Sequence, residues 1–178
     1  DAQDEAWLAA FARGLKRDID IFSCPLLGGD TVKTPGPLTL SVTAFGTVPQ
    51  GCMVPRTGAQ AGDILYVTGT IGDAALGLLE RQGKISAGQG AAHLLARYLL
   101  PEPRNALACV LLDHAHAAMD VSDGLIGDLI KMMRVSGVTA QVDVASIPLS
   151  PAAAAVTGGD EALLGQALSG GDDYEILA

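Results

Sequence analysis

Stretches of two hydrophobic periods alternate along this chain, and glycine or proline separates most of them. Leu38, Leu40, Val42 and Ala44 alternate with Thr39, Ser41 and Thr43, the period of a half-buried strand over 38–48. Trp7, Leu8, Phe11, Leu15 and Ile19 recur at three- and four-residue spacing, one apolar stripe of a helix over 4–21. The same reading predicts strands at 23–27, 64–68, 117–121, 138–144 and from 174 onward. It predicts helices at 73–81, 89–100, 105–116, 122–135, 152–156 and 161–168. Leu107, Val110, Leu111 and Ala115 form the expected inner face of the 105–116 helix. Strands alternating with helices give an α/β (α+β layered) fold. The run of Pro and Gly over 49–58 places a boundary that yields residues 1–54 and 55–178 as the two domains.

Composition then excludes several partners. Twenty acidic residues against 11 basic ones, a formal charge of −9, disfavour nucleic acid and anionic membrane surfaces. No apolar run approaches the ~20 residues of a bilayer span, and the opening DAQDEAWLAA shows no leader pattern. At 49% apolar, the 178 residues suffice for a packed core. Cys24, Cys52 and Cys109 are far apart and odd in number, so buried reduced thiols in a cytoplasmic protein are expected rather than disulfides or zinc.

Three acidic motifs are the candidates for chemistry. In Asp120-Val121-Ser122-Asp123-Gly124, two carboxylates straddle a strand end and a helix start. Ser122 or Asp123 is placed to cap that helix, and a helix N-terminus suits an anion. Mg²⁺ takes oxygen ligands and commonly joins one or two carboxylates to phosphates. An ordinary cap with a solvated Asp explains the same residues. Gly28-Gly29-Asp30 follows a short apolar stretch, as a plain turn also would. Ser169-Gly170-Gly171-Asp172-Asp173-Tyr174-Glu175 packs three acids into four positions ahead of an apolar strand, and a solvated charge run is its bland reading. Two carboxylates 4 Å apart repel by ~4 kcal/mol at an effective dielectric near 20. Acids converging in one cleft therefore need a cation, and with few basic residues nearby in sequence a divalent metal is expected.

Other patterns fail. Gly69-Thr70-Ile71-Gly72 does not fit a dinucleotide loop, Gly83-Lys84 is not a P-loop, and no GxSxG or kinase HRD/DFG pattern occurs. His114 and His116 fall on different helical faces, and His93 stands alone. Arg56, in a Pro/Gly-rich joint, is either a phosphate-binding fork or a surface residue.

Taken together and in order, LLGGDT (26–31), PRTGAQAGDILYVTGTIGDAALGL (55–78), MDVSDGLIGDL (119–129) and ALSGGDDYEI (167–176) resemble the thiamine-monophosphate kinase family. Its superfamily includes aminoimidazole ribonucleotide synthetase and selenophosphate synthetase. The resemblance covers essentially the whole chain. It implies an N-terminal α/β domain that pairs in a homodimer and a C-terminal α/β domain beside it. It implies phosphorylation of thiamine monophosphate by ATP with Mg²⁺, giving thiamine diphosphate. Gly29, Asp30, Arg56 and Ser122 would contact ATP; Asp30, Asp120 and Asp123 would hold metal. Asp172 would sit at the thiamine-phosphate site, where many relatives carry Glu; the shorter side chain keeps the charge and changes the reach.

The resemblance also implies that the family extends before residue 1 and beyond residue 178. Residues 1–54 would be the latter part of the N-terminal domain and 55–178 most of the C-terminal one, leaving this piece inactive or weakly active alone. Two alternatives remain. One is another ATP-using enzyme of the superfamily; the other is a noncatalytic nucleotide-binding or dimerisation module.

Overall fold

The computed structural model describes residues 4–178. The chain divides into two units, one ending at Val48 and the other spanning Pro49–Ala178. In the first, helix α1 (Glu5–Phe22) starts where the Asp4 carboxylate accepts the Trp7 backbone N–H at 2.7 Å, an N-cap. It stops at Ser23, whose φ of 52° is left-handed. Trp7 and Phe11 stack on its apolar stripe, ring centroids 5.5 Å apart. The strands expected at 23–27 and 38–48 do not form. Both stretches have the composition of strands, but a strand exists only when its N–H and C=O groups meet a neighbour. Among the described residues none pairs with them, and Leu27, Val42 and Phe45 stay exposed.

In the second unit, β1 (Met119–Val121) pairs antiparallel with β2 (Glu175–Leu177), with Met119 opposite Leu177 and Val121 opposite Glu175. Residues 64–68 line the other edge of β2. Tyr66 and Ala178 exchange backbone bonds at 2.9 Å, and the Thr68 N–H donates to the Ile176 carbonyl. The expected strand there is thus a bridge of extended chain, with β2 central.

The helices of this unit are α2 (Asp73–Arg81), α3 (Ala91–Leu99), α4 (Ala108–His114), α5 (Leu125–Ser136), α6 (Pro151–Thr157) and α7 (Glu161–Ser169). The α/β class holds. One core gathers Ile71, Val121, Leu125, Leu129, Met132 and Leu177 between sheet and α5. A second gathers Leu76, Leu94, Ala153 and Ala167 among α2, α3, α6 and α7. Gly77 permits the α2–α3 approach, since a Cβ there would strike the Leu94 backbone.

Three further expectations need correction. The 105–116 helix is a 3₁₀ turn (Asn105–Leu107) followed by the short α4, and Val110 of its expected inner face is exposed. Residues 138–144 are extended without a ladder; Val138 and Val142 pack on the first core, and the chain turns at Val144–Ser146. All three cysteines are free and exposed, on the loops holding Cys24 and Cys52 and on α4 at Cys109. An apolar cavity of about 540 Å³ opens between residues 64–67, α5 and residues 138–142. It has none of the predicted site residues in its lining.

Candidate functional site

β1 carries Asp120 to the surface, and the chain turns through Ser122, Asp123 and Gly124 into α5. Gly124 has φ 104°, and a Cβ there would meet the Ser169 and Gly170 backbone, so only glycine fits. The expected cap by Ser122 or Asp123 is absent. Instead Asp128, in the first turns of α5, reaches back and accepts the N–H groups of both Ser122 and Asp123 at 2.9 Å. This resembles a capping box in which the helix carboxylate satisfies the incoming turn. The turn's amides are spent on Asp128, so they are not an anion cradle.

Asp128 is fully buried. Burial pushes its carboxyl up, but the Lys131 ammonium at 2.8 Å and the two backbone bonds outweigh it and hold the pKa below the ordinary value. Lys131 also bonds Asp123, and the two carboxylates hold its own pKa above the usual lysine range. A cation does sit among these acids, then, and it is the Lys131 ammonium. Lys131 was not legible as a partner from sequence because it lies eight positions from Asp123, about two turns along the helix.

The Ser169–Glu175 motif is bonded directly to the Asp120–Gly124 motif. The Asp172 N–H donates to the Ser122 carbonyl at 3.0 Å, and the Tyr174 N–H to the Val121 carbonyl at 2.9 Å. Gly171 lies so close to the Ser122 carbonyl that a Cβ would overlap it. Asp172 and Tyr174 have φ of 72° and 50°, a left-handed conformation rare outside glycine. Burial first, then the charges of Asp172, Asp120 and Asp123, push the Tyr174 phenol above its ordinary pKa. The two backbone bonds set Asp172 beside the turn that carries Asp123 and follows Asp120.

Between the two strained residues, Asp173 is buried. It accepts the Gly72 N–H at 2.7 Å and the Ala74 N–H at 3.1 Å, capping α2 from a hundred residues away. Burial pushes its pKa up to about 6 against those two bonds. The N-terminus of α2 is thus closed by the protein's own carboxylate. Two positions on, the buried Glu175 accepts from Arg97 and Arg104, each at 2.7 Å, and from the Thr68 hydroxyl. Burial raises the Glu175 carboxyl, but the arginine and Thr68 bonds prevail and lower it.

Arg56 is exposed in a turn tied to this region. The Ala118 N–H donates to the Pro55 carbonyl, and the Ser136 hydroxyl to the Arg56 carbonyl. Gly29 and Asp30 belong to the first unit, are exposed, and there the Asp30 carboxylate accepts the Thr31 N–H at 2.7 Å. Asp120, Ser122, Asp123 and Asp172 are the predicted site residues brought together within one unit. Asp128, Lys131, Asp173 and Tyr174 are the ones that sequence reading left without a role.

The donor set is oxygen only, as Mg²⁺ requires. Among the described residues no three His, Cys, Asp or Glu side chains converge closely enough to enclose an ion. Asp120 and Asp123 fit an open site in which phosphate oxygens and water complete the shell.

Residues 60–171 match the model of the AIR synthase related protein C-terminal domain, and residues 1–48 that of the N-terminal domain. The chain belongs to the AIR synthase related protein family. Within it, the chain is 48% identical over 177 residues to a thiamine-monophosphate kinase of Caulobacter vibrioides, covering 98% of this chain and 50% of that protein. It is 41% identical to that of Escherichia coli K12, covering 97% and 53%. Among solved structures, thiamine-monophosphate kinase from Stenotrophomonas maltophilia K279a superposes with a TM-score of 0.89 at 42% identity, covering 99% of this chain and 57% of that one. AaThiL complexed with AMPPCP and TMP superposes with 0.80 at 27% identity, covering 99% and 57%. The chain spans about half the length of the curated relatives it matches. The resemblance drawn from the four motifs is borne out.

Proposed function

We propose that this chain is the part of a thiamine-monophosphate kinase that carries its central acidic turns. In the reaction, an ionised oxygen of thiamine monophosphate attacks the γ-phosphorus of ATP in line. A new P–O–P bond forms, the bond to ADP breaks, and thiamine diphosphate leaves. The acceptor is already anionic, so the chain needs no strong general base, and positioning carries the catalysis. Mg²⁺, when bound, would supply charge neutralisation on the phosphates.

In this reading Asp30, Asp120 and Asp123 hold the metal. Gly29, Asp30, Arg56 and Ser122 contact ATP, and Asp172 faces the thiamine phosphate. Residues 1–54 belong to an N-terminal domain that forms a homodimer, and 55–178 to the C-terminal domain of a cytoplasmic protein. The observation that carries the reading is the pair of bonds from Asp172 and Tyr174 to the Ser122 and Val121 carbonyls. They hold Asp172 against the turn that carries Ser122 and Asp123, as the reading requires. The binding of AMPPCP and TMP by AaThiL supports the choice of co-substrates.

A thermal-shift titration with Mg-ATP tests it. Wild type should be stabilised and Asp120→Asn much less so; equal shifts, or none, overturn the assignment. The 178-residue chain alone is expected to form little or no thiamine diphosphate from thiamine monophosphate and ATP. Robust turnover would refute that part.

A further inference from the structure

Lys131 projects from α5 onto two carboxylates with different duties. Asp128 is buried and orders the turn; Asp123 is mostly exposed and belongs to the proposed metal pair. The ammonium bonds Asp128 Oδ1, leaving Oδ2 to the Ser122 and Asp123 amides. The turn's backbone is therefore pinned without Lys131. On the Asp123 side the same ammonium occupies Oδ2, an oxygen that a divalent cation would need.

Resting on the metal reading above, we propose that Lys131 is a positioning residue and the resident counter-cation of this turn. It neutralises Asp123 and Asp128 while no metal is bound, and it gives up Asp123 when a divalent cation arrives. Asp128 keeps hold of it, so the ammonium retreats to one partner instead of leaving. Lys131 thereby prevents two neighbouring carboxylates from repelling each other in the empty turn, and it sets a threshold on metal affinity. A 2+ ion and a 1+ ammonium about 6 Å apart in a water-like dielectric repel enough to change affinity about tenfold.

Mn²⁺ binding to the 178-residue chain, followed by electron paramagnetic resonance, tests this in wild type, Lys131→Met, Lys131→Arg and Asp120→Asn. Lys131→Met should bind Mn²⁺ about tenfold more tightly, and Lys131→Arg like wild type. Equal or weaker binding by a Lys131→Met protein with native circular dichroism overturns the proposal. Asp120→Asn separates the two readings. If it binds as wild type does, the metal assignment itself falls, and the role of Lys131 with it. If it weakens binding while Lys131→Met fails to tighten it, only the role of Lys131 falls. Acetylation of wild type needs no variant: Lys131, read by mass spectrometry, should react faster with Mn²⁺ present, and an unchanged rate counts against displacement.

Discussion

Asp173 makes the stability of the C-terminal unit fall as pH rises through the mildly acidic range. Its carboxyl is buried beneath the N-terminus of α2, beside Asp73 and Arg97, with a pKa pushed up to about 6 from 3.8. Two backbone N–H bonds favour the ionised form, and burial outweighs them. In the unfolded chain the group ionises near its ordinary value. Between those two values the native state holds a proton that the unfolded state has lost, so stability decreases with rising pH. The gap corresponds to about 3 kcal/mol, a penalty absent below pH ~4 and complete above pH ~7. Asp173→Asn keeps the shape and cannot titrate. Urea unfolding of both proteins by circular dichroism, at several pH values from ~4 to ~7.5, isolates the contribution, because the other carboxylates cancel in the difference. Wild type should lose about 3 kcal/mol relative to the variant over that range. A difference that stays flat, or that grows in favour of wild type, would refute the reasoning.

Gly171→Ala should destabilise by about 1–3 kcal/mol, since its Cβ overlaps the Ser122 carbonyl. It should also weaken the Mg-ATP thermal shift by parting the two acidic loops. Glu175→Gln leaves Arg97 and Arg104 without their buried anion, at a cost of about 3–5 kcal/mol. A chemical-denaturation midpoint within error of wild type would contradict this. Thiol titration under native conditions should label Cys24, Cys52 and Cys109 at rates close to those in denaturant, because all three are exposed.

Local order was legible where it depends on neighbours in sequence. The stripe of α1 and the helices at Asp73–Arg81 and Glu161–Ser169 follow from spacing and end residues. The three acidic motifs could be named as candidates for the same reason, since glycine and aspartate in such runs mark turns that expose backbone and charge. Strand pairing was not legible: residues 38–48 and 138–144 have the right alternation and form no ladder.

What the amino-acid order determined by itself was the set of elements and the acids at their ends. The tertiary structure decided which of those acids meet and what each is bonded to. Asp128 serves the preceding turn, Asp173 caps a helix a hundred residues earlier, and Lys131 neutralises a carboxylate two helical turns away. Hydrophobic period is a short-range property of the chain. The partner of a buried charge is chosen by packing, because only the assembled core removes water from one carboxylate and leaves another wet.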